Sequence, residues 1–296
     1  MRNLKRPPAL GRCLPSGSFA YQGDQAAVQE NDGKSLFAEE IKETLRAGYD
    51  FAELTVGALM QLSEADFSRE AERLDEAEIR IPAFNSFIPP SFRLTGPSAD
   101  QDAALAYAER ALKRVHAVGG EIIVFGAGGA RRRPDDFPQE EALEQIKDFL
   151  MECSLPASKY GITIAIEPLN RQECNVLNKV SEAVAIAEDL HLPNIRVLAD
   201  AYHMHLENES YEMISPAVKK GPLAHVHYAE WDRSYPDGSA ADGVRFAELF
   251  EQLVESGYKG KISAECNSRQ HHADRTRSLN YIKPILSQVA ARHEMI

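Results

Sequence analysis

The segment ITIAIEPLNRQECN, residues 162–175, runs a continuous apolar stretch into an acid, Glu167, and sets a second acid, Glu173, six positions further on. Short and rich in isoleucine, 162–168 reads as a strand buried on both faces, as strands of parallel sheets are. A carboxylate at the end of such a strand is costly unless something pairs with it. The partner of Glu167 has to come from the rest of the chain.

Seven further runs have the same character: ALGRCL (9–14), FAELTV (51–56), RIPAFNSF (80–87), EIIVFGA (121–127), IRVLAD (195–200), LAHVHYA (223–229) and GKISAEC (260–266). Helical periodicity fills the intervals, at 35–48, 64–78, 102–120, 140–161, 180–191 and 242–257, more weakly near 207–219, and finally at 273–292. Gly48, Gly119, Gly161 and Gly257 stand where four of these helices should stop. Eight strands alternating with eight helices in 296 residues predict a parallel sheet with crossover helices. No GxGxxG or Walker loop follows the first strand, and GAGGAR (126–131) lacks the fingerprint spacing and its downstream acid. The expected fold is therefore an α/β (β/α)₈ TIM barrel in a single domain spanning 1–296, with 1–8 as an N-terminal extension.

Composition narrows the functional classes. Forty-five acids against 33 bases leave a formal charge of −12, which argues against a non-specific nucleic-acid surface. The basic start, MRNLKRPPALGR, is followed by no apolar stretch long enough for a signal peptide, and no run approaches the length of a membrane span. Cys13, Cys153, Cys174 and Cys266 show no CxxC spacing and read as reduced, small apolar side chains in a cytoplasmic protein.

In a barrel of this kind chemistry sits on the rim where the strands end. Glu167 ends strand five, Asp200 strand six, His227 strand seven and Glu265 strand eight, each directly after an apolar run. One such group is readily explained by an ion pair. Three acids and an imidazole on consecutive strands repel one another unless a cation lies between them. Three carboxylates with one imidazole and no thiolate suit one divalent ion, Mn²⁺ above all, with Co²⁺, Mg²⁺ or Zn²⁺ as alternatives. A second set follows at short offsets: Glu173 six after Glu167, His203 three after Asp200, Arg233 six after His227. These fall in the loops above the metal and are assigned to substrate. His225, two before His227, is assigned to the helix-facing side of its strand and to a structural role.

Together EPLNRQE (167–173), ADAYHM (199–204), HVHYAEWDR (225–233) and SAEC (263–266) resemble the xylose-isomerase-like barrel superfamily, and within it the sugar isomerase/epimerase branch that includes the ketose 3-epimerases. The resemblance implies one divalent metal held by Glu167, Asp200, His227 and Glu265, with Glu173, His203 and Arg233 gripping oxygens near the reacting carbons of a carbohydrate. It also implies proton transfer through an enediolate, Glu167 and Glu265 acting from opposite faces. It is in keeping with a homo-oligomer and with no membrane or nucleic-acid partner. Dehydratases and lyases acting on keto-inositols or 3-keto-glycosides share this frame and form the alternative. An endonuclease IV-like DNA-repair enzyme would need further histidines, and strands three and four end in FNSF and FGAG. Xylose isomerase carries a lysine where this chain has Leu169. The chain departs from the epimerases at Cys266 and Asn267, at Trp231, and in the long first loop at 18–35. For Arg131–Arg133 an anion contact and a solvated charge run are both open.

Overall fold

The computed structural model describes residues 7–14, 35–240, 242–267 and 271–294. All eight expected strands are present: β1 (Ala9–Cys13), β2 (Phe51–Thr55), β3 (Ala83–Asn85), β4 (Ile122–Phe125), β5 (Thr163–Ile166), β6 (Ile195–Asp200), β7 (Leu223–Tyr228) and β8 (Lys261–Ala264). Each pairs in parallel with its neighbours in sequence, and β8 closes onto β1, with Ala9 opposite Lys261 and Arg12 opposite Ala264. The 18–35 loop lies outside the described residues apart from Ser35, as do residues 1–6 of the expected extension.

Around the barrel run α1 (Ala38–Arg46), α2 (Val56–Met60), α3 (Glu64–Glu76), α4 (Gln101–Ala117), α5 (Gly128–Arg131), α6 (Gln139–Lys159), α7 (Val180–Leu190), α8 (Ala201–Leu206), α9 (Ile214–Lys219), α10 (Phe246–Glu255) and α11 (His271–Glu294). Local chemistry sets their ends. The Ser63 hydroxyl accepts from Asp66 N to cap α3, and Asp100 accepts from Ala103 N to cap α4. Gly161, at φ 67°, turns the chain out of α6 into β5. None of these helices is long and apolar enough to cross a membrane.

Two boundaries differ from expectation for physical reasons. β3 covers three residues rather than eight, because Pro82 has no N–H to give the ladder and Ser86 turns left-handed at φ 54°. α10 begins at Phe246 rather than 242, since Val244 N is held by the Glu230 carboxylate.

Two apolar regions separate the layers. The larger lies between sheet and helices; the smaller fills the barrel interior with Phe51, Ala83, Ile122, Val124, Ala165 and Leu198. Polar side chains occupy the interior above this plug, towards the C-terminal ends of the strands. All four cysteines are free and buried.

Candidate metal centre

Each of the four strand-end residues reaches one point. Glu167, Asp200, His227 and Glu265 each offer a ligand atom, and those atoms all lie within 4.8 Å of one another. His227 Nδ1 is 3.4 Å from Glu167 Oε1 and 3.9 Å from Glu265 Oε2. Asp200 is held in place by capping α8, its Oδ1 accepting from Tyr202 N at 2.8 Å. Glu167, Asp200 and His227 are buried, and Glu265 is half-buried.

The donor set fits a divalent cation. Glu167 Oε1 and His227 Nδ1 are buried polar atoms with no hydrogen-bond partner, although they face each other. Such atoms are rare in a completed site. Electrostatics agree: burial opposes charge on His227, but Glu53, then Cys13 and Glu265, outweigh it and hold the imidazole well above its usual range. A field that favours a proton there also favours a metal ion in its place. Burial pushes the Glu265 carboxyl up to about 8, with Glu167 and Asp200 adding to the rise and His227 and Arg233 opposing it. For Glu167 burial is outweighed by His227, His203 and Arg233, so its carboxyl lies below the ordinary value.

The second set assembles at the edge of this cluster. Arg233 Nη2 lies 3.3 Å from Glu265 Oε2, 3.8 Å from Glu173 Oε2 and 3.1 Å from His203 Nε2. Its guanidinium also sits over the Tyr202 ring at 4.6 Å. Glu173 and His203 are joined by Asn170, whose side-chain amide is 3.0 Å from Glu173 Oε1 and 2.9 Å from His203 Nδ1. Above them opens a cleft of about 400 Å³ whose lining includes Ile88, Pro89, Pro90, Glu167, Arg233 and Glu265. Ser86, Ala127 and Arg233, all lining this rim or beside it, take left-handed backbone at φ 54°, 43° and 65°. Non-glycine residues adopt that region at a cost, and such strain concentrates at functional sites.

Three expectations need correction or completion. His225 does not face the helices. Residues two apart on a strand share a face, so His225 points into the barrel beneath His227, its Nε2 2.7 Å from Glu53 Oε2. Arg131–Arg133 is not a uniformly solvated run. Arg131 is fully buried and donates to the carbonyls of Phe125 (3.0 Å) and Glu167 (2.9 Å), tying the ends of β4 and β5 together. Arg133 donates to the carbonyls of Pro134, Asp135 and Phe137, and only Arg132 is exposed. Finally, sequence reasoning passed over Glu53, Asn85 and Asn170. Asn85, ending β3, places its amide 3.4 Å from Glu265 Oε1. The available signal for Glu53 was an acid in the middle of the apolar run FAELT. The GAGGAR glycines, by contrast, serve packing: a Cβ at Gly126 would collide with Glu167 Oε2.

The closed parallel (β/α)₈ barrel gathers at its C-terminal rim carboxylates and a histidine that could hold a metal ion, and the fold is that of a TIM barrel. More particularly, residues 41–285 match the family model described as xylose isomerase-like TIM barrel, and the chain belongs to that family. It is 26% identical over 261 residues to the L-ribulose 3-epimerase of Methylomonas sp. (strain DH-1), covering 84% of this chain and 85% of that one. To the 3-dehydro-D-guloside 4-epimerase of Escherichia coli (strain K12) it is 29% identical over 165 residues, 53% of this chain and 61% of the other. A solved L-ribulose 3-epimerase structure superposes with a TM-score of 0.78 at 20% identity, covering 97% of each chain.

Proposed function

We propose that this chain is a divalent-metal-dependent epimerase or isomerase of keto-sugars, acting by proton transfer at the carbon beside a carbonyl. The convergence of Glu167, Asp200, His227 and Glu265 on one point carries the reading. The relatives support it from a different direction. L-ribulose is a 2-ketose altered at carbon 3, and a 3-dehydro-guloside is a 3-ketone altered at carbon 4. In both, the carbon that inverts adjoins a ketone.

Glu167, Asp200, His227 and Glu265 would hold the cation, Mn²⁺ first and Co²⁺, Mg²⁺ or Zn²⁺ after it, and the cation would supply Lewis-acid polarisation of the ketone. The remaining work belongs to side chains. Glu167 on β5 and Glu265 on β8 stand three strands apart around the barrel, so they approach a bound sugar from different sides. One removes the carbon-bound proton and the other returns a proton to the opposite face, which inverts the centre. Arg233 and His203 donate to substrate oxygens on the rim side, and Glu173 accepts from a hydroxyl. Four buried thiols and the acidic charge fit a cytoplasmic enzyme with a small carbohydrate substrate.

The test is incubation of the Mn²⁺-loaded protein in D₂O with a panel of ketoses, inososes and 3-keto-glycosides. Deuterium should appear at the inverted carbon with no other change of mass. Loss of water or of an aglycone would move the assignment to a lyase on the same frame. No exchange with any member of the panel would overturn it.

A further inference from the structure

Beneath the proposed ligands lies a polar layer that the proton-transfer chemistry does not use. Glu53, in the middle of β2, is fully buried, and its two oxygens take different partners. Oε1 lies 3.0 Å from His227 Nε2. Oε2 accepts from the Ser263 hydroxyl at 2.6 Å and lies 2.7 Å from His225 Nε2. The rings of His225 and His227 meet edge to face, with centroids 5.0 Å apart and planes at 79°.

We propose that Glu53 is a positioning residue for the metal centre: it fixes the ring and tautomer of His227 so that Nδ1 presents its lone pair to a divalent cation. The inference rests on the metal reading above. A carboxylate accepts hydrogen bonds and donates none, so the nitrogen of His227 that faces it has to carry hydrogen. In a neutral imidazole the other nitrogen is then the acceptor. That other nitrogen is Nδ1, the buried atom without a partner that faces Glu167 and lies within 4 Å of Glu265. A carboxylate behind a ligating histidine also enriches the ring and strengthens its bond to a metal.

The other partners explain why glutamate stands here. Three groups point at one side chain: two imidazole edges and a hydroxyl. Only a carboxylate offers two acceptor oxygens in that space. Glutamine has the same shape with one oxygen and one NH₂, so in either orientation of its amide a donor confronts a group that now has to accept. Ser263 and His225 occupy the second oxygen, which keeps the carboxylate from rotating and leaves the first committed to His227.

Cobalt titration of the full-length protein tests this, read both by calorimetry and by the visible spectrum of bound Co²⁺. The unaltered chain should bind one Co²⁺. Glu53→Gln should bind it about 10- to 100-fold more weakly, with a changed spectrum. A Glu53 that serves the fold alone would behave otherwise: Glu53→Gln would lower the melting temperature of the metal-free protein and leave cobalt affinity and spectrum unchanged. That outcome overturns the inference while leaving the metal reading intact. Failure of the unaltered chain to bind any divalent ion would end both. If Glu53→Gln does not fold, Ser263→Ala decides, since it removes one of the two groups holding the second oxygen and keeps the charge. Several-fold weaker cobalt binding is then expected, and unchanged binding overturns the inference.

Discussion

The barrel interior holds two polar layers that answer burial to different degrees. In the lower one Glu53 engages His225 at 2.7 Å and Ser263 at 2.6 Å. In the upper one Glu167 Oε1 and His227 Nδ1 are buried without partners, 3.4 Å apart. An unsatisfied buried polar atom costs about 1–3 kcal/mol. The upper layer therefore destabilises the fold until something completes it, whereas in the lower layer both Glu53 oxygens are engaged and His225 Nδ1 alone is left without a partner. His227 belongs to both, with one nitrogen in each. The contrast teaches which polar groups the molecule keeps for a ligand and which it keeps to aim them.

The largest effects should come from the upper layer, and indifference there would break the contrast. Glu265→Gln removes a proposed ligand and a proton-transfer group together, so kcat should fall at least about 1,000-fold, measured by epimer ratio on whichever substrate exchanges deuterium. Adding Mn²⁺ to metal-free protein should raise its melting temperature, because an ion at 100 times its Kd stabilises by about 2.7 kcal/mol. A Glu265→Gln variant that keeps both activity and metal-induced stabilisation would show that the cluster is a structural ion network.

Arg233→Lys should come next. Arg233 reaches Glu173, His203 and Glu265 at once and stacks on Tyr202, a geometry that a planar fork supports and an ammonium does not. A fall of about 100-fold in kcat/KM is expected, or about 2.7 kcal/mol, with Mn²⁺ affinity within a few-fold of the unaltered chain. Equal losses in both would place Arg233 among the groups that build the metal site.

Gly126→Ala sharpens the comparison more gently. Gly126 takes no left-handed backbone, so alanine fits its conformation, and the steric conflict is with Glu167 Oε2 alone. The substitution should leave the lower layer and the fold intact while weakening Mn²⁺ about 10-fold, by calorimetry, through displacement of one ligand. Destabilisation without any loss of metal affinity would mean that Glu167 relaxes freely.

The barrel and the four converging residues were legible because each signal is local: an apolar run, a glycine stop, an acid or imidazole at the end of the run. Glu167, Asp200, His227 and Glu265 all follow that rule. Glu53 does not. In FAELT an acid amid alternating residues looks like the solvent side of a half-buried strand, and its partners are 172 and 174 residues away in sequence. His225 was assigned to the wrong face although the period of two already settles it. Arg131 was hidden by composition, since three consecutive arginines look alike until α5 turns the first of them inward to the Phe125 and Glu167 carbonyls.

The smallest predicted effect bears on whether the lower layer is a metal site in its own right. Cys13, Glu53 and His227 also offer atoms within 4.8 Å of one another, all fully or nearly fully buried. One observation speaks against a second ion. The Cys13 sulfur is 4.0 Å from His227 Nε2, the same nitrogen that Glu53 holds at 3.0 Å, so Cys13 competes for an occupied position. Cys13→Ala should therefore cost about 1 kcal/mol or less in stability, and should leave Co²⁺ stoichiometry at one and its Kd within about two-fold, equivalent to about 0.4 kcal/mol. A second equivalent of Co²⁺ in the unaltered chain, lost in Cys13→Ala together with a sulfur-to-metal absorption band, would make the lower layer a metal site and erase the distinction between the two.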